Sequence, residues 1–140
     1  MEEQDVSYLN IDLDLYSAQE PVLLRRAFAD GYTVMCDEKD DAGFLLTLEG
    51  SSQAHPESCL EAFCTLIEAF DAGTRAEWDV CQRRVFDIGF ESGRGELVLQ
   101  ATLQPDTLAR LAALGAAVTI TIYPQAEADG HVEYQELERE

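Results

Sequence analysis

Polar and apolar residues alternate strictly near the start of the chain, in YLNIDLDLY at residues 8–16. Such alternation predicts a β-strand with one buried face, because successive side chains of a strand point to opposite sides. The residues predicted to face the core are Leu9, Ile11, Leu13 and Leu15. The residues predicted on the opposite face are Tyr8, Asn10, Asp12, Asp14 and Tyr16.

Proline and glycine mark the ends of the predicted helices, since Pro is favoured in the first helical turn and Gly just past the last. This punctuation predicts a helix from Pro21 that stops at Gly31, a helix over residues 55–72 that stops at Gly73, and a helix from Pro105 that stops at Gly115. Thr74 and Glu77 match a capping box, which predicts a further short helix from Thr74. Two strands joined by an acidic turn are predicted at residues 32–36 and 44–50.

The segment RRVFDIGFESGRGELVLQATL at residues 83–103 is predicted to be a β-hairpin. Residues 85–91 alternate as a strand, SGRG supplies the turn, and residues 96–103 alternate as the return strand. The glycines Gly93 and Gly95 lie between two predicted strands. A phosphate-binding loop would instead precede a helix N-terminus, so that interpretation is rejected. A last strand follows residue 116, with Val118, Ile120 and Ile122 predicted to point inward.

Two strand–helix–strand segments resemble each other at one register. The matched pairs are Pro21 with Pro105, Leu24 with Leu108, Arg26 with Arg110, Gly31 with Gly115 and Val34 with Val118. The alternative is chance, because Pro and Gly commonly punctuate helices. The predicted fold is α+β, with a largely antiparallel sheet, helices on one face, a ferredoxin-like split βαβ arrangement and this internal repeat. Residues 1–124 form the predicted single domain, and residues 125–140 a flexible acidic tail.

The charge balance is strongly acidic, with nine basic and 28 acidic residues and a net charge of −19. Such a surface repels phosphate backbones and anionic lipid, so neither nucleic acid nor membrane is an expected partner. It attracts a basic protein, because opposite fields steer encounter. The alternative is that the acidity serves solubility alone.

Candidate chemistry is sparse. The start of the chain has no basic and apolar leader, so a cytoplasmic location with reduced cysteines is expected. The four cysteines lack CxxC spacing, and His55 and His131 have no suitable neighbours in sequence, so neither metal nor cofactor is predicted. No nucleophile–base constellation or phosphate motif is present, and no enzymatic activity is expected.

The sheet face opposite the helices is the predicted contact surface for a partner. It combines carboxylates, which select a basic partner, with tyrosines, which are enriched at interfaces. The predicted binding residues are Asp12, Asp14, Tyr16, Asp87, Glu91 and Tyr123. The alternative is an ordinary solvated sheet face.

The runs RVFDIGFESG and TLARLAALGAAVTITIYP resemble a group of small bacterial domains of unknown function. Some members of such groups resemble immunity proteins of bacterial toxin systems. The resemblance covers roughly the last half of the chain, up to Pro124, and it implies a stand-alone module that neutralises a toxin. The predicted function is therefore an acidic, non-enzymatic protein that binds a basic partner such as a toxin domain, as a monomer or homodimer. The alternative is a ferredoxin-like module that senses a small molecule and dimerises.

Overall fold

The computed structural model describes residues 5–50 and 55–125, which contain five strands and four helices. The strands are β1 (Ser7–Ser17), β2 (Thr33–Lys39), β3 (Phe44–Glu49), β4 (Arg83–Glu91) and β5 (Ala117–Tyr123). The helices are α1 (Val22–Ala27), α2 (Pro56–Glu68), α3 (Ala72–Asp79) and α4 (Pro105–Ala113). The prediction of an α+β fold is confirmed.

The five strands form one sheet in the order β2-β3-β1-β4-β5. The alternating segment of the sequence is its central strand, β1, which pairs antiparallel with β3 and β4. Strand β2 pairs antiparallel with β3, whereas β5 pairs parallel with β4 after the crossover through α4. The sheet is therefore mixed, because two neighbouring parallel strands need a crossover connection and α4 provides it.

The core lies between one face of the sheet and the helices. The buried strand residues are Ile11, Leu13, Leu15, Leu46, Leu48, Phe86 and Ile88. All four helices contribute to the same cluster, including Leu24, Phe63, Trp78 and Leu111. Phe63 contacts three other aromatic rings, and the indole Nε1 of Trp78 donates to the Leu114 carbonyl at 2.9 Å. This one-sided packing leaves the polar side chains of the strands on the other face.

A β-bulge at Leu9 corrects the predicted orientation of the first residues of β1. The pairing with β4 shifts between Tyr8 and Asn10, so that Tyr8 lies opposite Phe90. The two rings are 6.0 Å apart, and Tyr8 packs against the core, while Leu9 is 47% exposed. Strict alternation places Tyr8 on the polar face and Leu9 in the core. That prediction is wrong because the extra residue of a bulge reverses the alternation beyond it.

The predicted return strand at residues 96–103 is also wrong. Residues 92–104 contain neither helix nor strand, and Val98 is 84% exposed. Strand β4 has only two edges, and β1 and β5 occupy them. No edge of β4 remains for a hairpin partner, so this segment serves as the connection to α4.

The N-terminal caps of two helices differ from the predicted capping box. The Asp71 carboxylate accepts the Thr74 N–H at 2.8 Å, so Asp71 rather than Thr74 caps α3. The Glu77 carboxylate instead accepts the backbone N–H groups of Leu23 and Leu24, at 2.9 and 3.1 Å. Glu77 on α3 therefore caps the first turn of α1.

The two segments of the predicted repeat share one feature and differ in another. Gly31 and Gly115 both follow a helix with positive φ, 87° and 71°, a conformation that favours glycine at a helix end. However, β3 lies between β1 and β2, whereas β4 and β5 are direct neighbours. The internal repeat stays a prediction. The predicted acidic tail lies, beyond Gln125, outside the described residues.

Candidate functional site

The polar face of the sheet is called the open face here. It consists of the strand residues whose side chains alternate away from the core. These residues are Asn10, Asp12, Asp14 and Tyr16 on β1, Cys36 and Glu38 on β2, Leu45, Thr47 and Glu49 on β3, Arg83, Val85, Asp87, Gly89 and Glu91 on β4, and Ala117, Thr119, Thr121 and Tyr123 on β5. Of these residues only Arg83 is basic, so the face is negative.

Three carboxylates form a row across the centre of the open face. Asp12 lies directly opposite Glu49 on β3 and directly opposite Asp87 on β4. Directly opposite residues of antiparallel strands have Cα atoms about 4.5–5.5 Å apart, and like charges at this spacing repel. A fourth carboxylate, Asp14, lies two residues further along β1 on the same face. The register of the sheet therefore concentrates negative charge around Asp12.

Neutral side chains hold these carboxylates in place. The Asn10 amide donates to the Glu49 carboxylate at 3.0 Å. The Thr47 hydroxyl donates to Asp14 at 2.9 Å, and the Thr121 hydroxyl donates to Asp87 at 2.6 Å. None of these donors carries a positive charge, so they orient the carboxylates without neutralising them.

Asp12 has the strongest electrostatic perturbation on the open face. The pKa of Asp12 is raised from 3.8 to about 6, mainly by partial burial and in addition by the charges of Glu49, Asp14 and Asp87. Burial and like charge both disfavour the ionised form of a carboxyl group. A cation placed over Asp12 would reverse this effect, because an opposite charge favours ionisation.

Tyr16 marks one end of the open face. Its hydroxyl donates to the Asp40 carboxylate at 2.8 Å. Asp40 also accepts the backbone N–H groups of Ala42 and Gly43, at 2.8 and 2.9 Å, within the turn between β2 and β3. The hydrogen bond to Asp40 raises the pKa of Tyr16. Tyr16 is thus tied to the turn through its hydroxyl.

Glu91 and Tyr123 lie at the other end, directly opposite each other on β4 and β5. The Tyr123 ring approaches Gly89, because a Cβ atom at Gly89 would lie 3.6 Å from Tyr123 Cε2 and 3.2 Å from Asn10 Oδ1. Glycine at this position lets the ring and the amide lie close over β4. Tyr123 is therefore packed onto the acidic face.

The structure places all six predicted binding residues on the open face but not in one cluster. Asp12, Asp14 and Asp87 are neighbours. Tyr16 lies four residues along β1 from Asp12, or about 13 Å, and Glu91 lies as far from Asp87 along β4. Glu49 is a neighbour of Asp12 that the sequence-based set omits. The alternation of FLLTLE at residues 44–49 is the signal that would have found it.

No three His, Cys, Asp or Glu side chains within residues 5–50 and 55–125 come together as metal ligands. Cys59, Cys64 and Cys81 are buried, and burial raises the pKa of all three thiols, that of Cys81 to about 11. His131 lies outside the described residues. None of the described helices is both long and apolar enough to cross a bilayer.

A crevice of about 590 Å³ lies between the N-terminal end of α2 and the connection to α4. Tyr8, His55, Phe90 and Gln100 are among its lining residues. Glu57, also in its wall, accepts the Gln104 N–H at 3.1 Å and contacts the Thr107 hydroxyl. These bonds hold the connection against α2 and give the crevice its shape.

Comparisons with known proteins yield no relative. No protein-family model, no curated protein and no solved structure matches the chain.

Proposed function

We propose that this chain is a non-enzymatic binding protein that recognises a basic protein through the open face. The observation that carries the proposal is the row of Glu49, Asp12 and Asp87 across three adjacent strands. Side by side on a partly buried surface, these carboxylates destabilise one another. A partner's guanidinium or ammonium group over the row would remove this repulsion.

The chemistry of the row favours arginine on the partner. A guanidinium has several N–H donors in one plane and can bridge two carboxylates, whereas an ammonium acts as a point charge. Tyr16 and Tyr123 would flank the charged centre with rings, and tyrosine is a frequent anchor of binding energy at interfaces. The proposed contact therefore has an acidic centre and aromatic ends.

The partner class that we propose is a basic toxin domain, which makes this chain an immunity protein. Its net charge of −19 supports fast capture of a basic protein, since opposite fields increase the association rate. Neutralisation would then require only that the bound chain covers the toxin's substrate-binding surface.

The test is capture of partners from a lysate of the native cells by two immobilised triple variants. One variant neutralises the open face with Asp12→Asn, Asp14→Asn and Asp87→Asn. The matched control neutralises three exposed acids elsewhere with Asp30→Asn, Asp41→Asn and Glu61→Gln. We expect one basic protein to bind the wild type and the control in stoichiometric amount, and to be lost from the open-face variant.

Salt and toxicity complete the test. At about 0.5 M salt the Debye length falls to roughly 4 Å, so the captured protein should elute. Expression of the captured protein alone should arrest the growth of the host cells, and co-expression of the acidic chain should restore growth. Equal capture by both triple variants would exclude the open face, and a harmless partner would exclude the immunity function while retaining binding.

The crevice supports a second candidate, a small-molecule sensor of ferredoxin-like type. The order β2-β3-β1-β4 within the sheet, with α1 between β1 and β2, supports that architecture. A thermal-shift screen with common metabolites tests it. We expect the melting temperature to rise with a ligand in the wild type and not in Gln100→Trp, which fills the crevice from an exposed lining position. A screen without any shift would remove this candidate.

A further inference from the structure

As far as the structure describes the chain, strand β5 is an edge strand without the usual protection. Within the described residues, it pairs on one side only, with β4. Its sequence, AVTITIY, contains no charge and no proline. The opposite edge strand, β2, carries Asp37, Glu38 and Lys39. Natural proteins protect sheet edges with charges, prolines or a covering element, because unpaired backbone groups bind other strands.

The core-side surface of β5 is also uncovered. Val118, Ile120 and Ile122 alternate toward the helices, as the sequence predicts, but they are 38%, 64% and 65% exposed. Their neighbours on β4, Phe86 and Ile88, are only 0% and 3% exposed. The four helices between residues 55 and 113 and at residues 22–27 therefore cover β4 but not β5. Within the part of the chain that the structure describes, the prediction that Val118, Ile120 and Ile122 are buried in the core is wrong.

We propose that β5 pairs with β5 of a second copy of this chain, antiparallel and about a twofold axis at Ile120. The sequence is symmetric in chemical type around that residue, with Thr119 and Thr121 on either side and β-branched Val118 and Ile122 beyond them. In this register, Ile120 meets its own copy, Val118 meets Ile122, and Thr119 meets Thr121. Such β-branched and Thr–Thr cross-strand pairs are favourable. A self-complementary surface is what a twofold interface requires.

The hydrogen-bond geometry of β5 suits this pairing. The Tyr123 carbonyl accepts the Ser92 N–H at 2.7 Å, so the backbone groups of Tyr123 point toward β4. Backbone direction alternates along a strand. The N–H and C=O groups of Val118, Ile120 and Ile122 therefore point to the free edge. The three resulting pairs would exchange about six N–H···O bonds across the twofold axis.

The lack of charge on β5 permits pairing with a second copy of this acidic chain. Two chains of net charge −19 repel each other over most of their surface, but the uncharged β5 edge lets them meet without opposing carboxylates. The nearest carboxylates of the open face, at Asp87 on β4, would then lie three strand spacings apart, or about 14 Å. This exceeds the Debye length of about 8 Å at physiological ionic strength, so their repulsion is largely screened.

Sedimentation equilibrium of the full chain, with Ile120→Lys and a matched variant, tests the proposal. Ile120 is exposed in the single chain, so the lysine is compatible with folding, which circular dichroism verifies. We expect a wild-type dimer and self-association at least about a hundredfold weaker in Ile120→Lys, because two ammonium groups then meet at the axis. Met35→Lys, a similarly exposed position on the edge strand β2, should dimerise like the wild type.

Hydrogen exchange in the wild type is an independent test of the pairing between two copies of β5. The amides of Val118, Ile120 and Ile122 should become protected as protein concentration rises, whereas those of Thr119 and Thr121, which face β4, should be protected throughout. A monomer at all concentrations, or a dimer that Ile120→Lys leaves intact, would overturn the proposal. So would a chain that dimerises only after removal of residues 126–140, since the chain's own C-terminal segment would then be the occupant of the edge.

Discussion

At the scale of single residues, the ionised carboxylate of Asp12 on the open face lowers the stability of the free protein. Its carboxyl group is partly buried and has Glu49 and Asp87 directly opposite and Asp14 beside it. Each time this group ionises, the folded chain must accommodate a charge that no described cation balances. The unfolded chain has no such constraint. The stability of the protein should therefore depend on pH through this residue.

Asp12→Asn tests this dependence. The pKa of Asp12 is raised from 3.8 to about 6 on folding, so the folded state binds more protons than the unfolded state between these values. Stability contributed by the protonated group is present below pH 3.8 and is lost as the pH rises through about 6. In urea unfolding at neutral pH, Asp12→Asn should be more stable than the wild type by about 1 kcal/mol, after allowance for solvent screening.

At pH values below 3.8, the two proteins should be equally stable, because Asp12 is then protonated in both states. Asp41→Asn, on an exposed turn, is the control for loss of one charge and should not reproduce the pH-dependent difference. A constant difference between Asp12→Asn and the wild type at every pH would contradict the proposed cause.

Glu77 gives a second prediction at this scale. Its carboxylate accepts two backbone N–H groups at the start of α1. Loss of such a cap typically costs about 0.5–2 kcal/mol. Glu77→Ala should lower the free energy of unfolding by about 1 kcal/mol in urea, and Glu77→Gln, which keeps an acceptor oxygen, by less. Glu61→Ala, an exposed position on α2, should have little effect; equal losses at both sites would argue against capping.

Side-chain orientation is predictable from sequence only while alternation is regular. Asp12, Asp14 and Asp87 are correctly predicted to share a face, because the period of two is uninterrupted there. Tyr8 is not, because nothing in the letters YLN signals that Leu9 forms a bulge. Glu77 matches a capping box in sequence, yet its partner is a helix more than fifty residues away. Local patterns cannot identify such a distant partner.

At the scale of elements, Arg84 on β4 connects the ends of two helices. Its Nη1 group donates to the carbonyls of Trp78, Asp79 and Cys81, at 3.0, 3.1 and 2.9 Å, at the end of α3. Its Nε group donates to the Gly115 carbonyl at 3.1 Å, just beyond α4. The last carbonyls of a helix have no partner within the helix, and a cation there is favourable. One side chain therefore fixes α3 and α4 against the sheet.

Arg84→Lys should lower the free energy of unfolding by about 1–2 kcal/mol, because an ammonium cannot serve both helix ends at once. Arg84→Met, which keeps only the apolar stem, should cost more, about 2–3 kcal/mol. The neighbouring Arg83→Lys is the matched control, since Arg83 is exposed on the open face. Urea unfolding measures all three; an equal effect of Arg83→Lys and Arg84→Lys would refute the connecting role.

Helices and strands with a long apolar pattern are well predicted. An element is poorly predicted where its formation depends on which strands pair with each other. The helix at residues 56–68 and strands β1, β3 and β4 follow from periodicity. Residues 96–103 have the alternation of a strand but form none, because β5 takes the edge of β4 that a hairpin would need. Which strand pairs with the second edge of β4 depends on the α4 crossover. The local sequence of residues 96–103 contains no information about that crossover.

At the scale of the whole molecule, the net charge of −19 sets the conditions under which the chain folds. A compact chain with so large an excess of one sign repels itself, and salt screens this repulsion. The free energy of unfolding in urea should therefore rise between about 0.05 and 0.5 M NaCl, by on the order of 1 kcal/mol. Urea is the suitable denaturant, since guanidinium chloride would itself supply the salt.

The open-face triple variant shows how much of this salt effect comes from the carboxylate row. Asp12→Asn, Asp14→Asn and Asp87→Asn together should reduce the rise more than the matched neutralisation of Asp30, Asp41 and Glu61. The carboxylates of Asp12, Asp14 and Asp87 are close together, and repulsion between close charges contributes most to the salt-dependent change in stability. An equal reduction by both variants would mean that net charge alone, rather than its concentration on one face, governs stability.

The position of β1 at the centre of the sheet affects how the chain can fold during its synthesis. Both neighbours of β1, the strands β3 and β4, follow it along the chain, and β4 ends only at Glu91. Until those residues have left the ribosome, Ile11, Leu13 and Leu15 have no complete sheet to join. The nascent chain must therefore keep these three residues, which are buried in the finished fold, from non-native contacts. Chaperones could provide this protection, and the acidic neighbours Asp12 and Asp14 would support it by repelling other acidic chains.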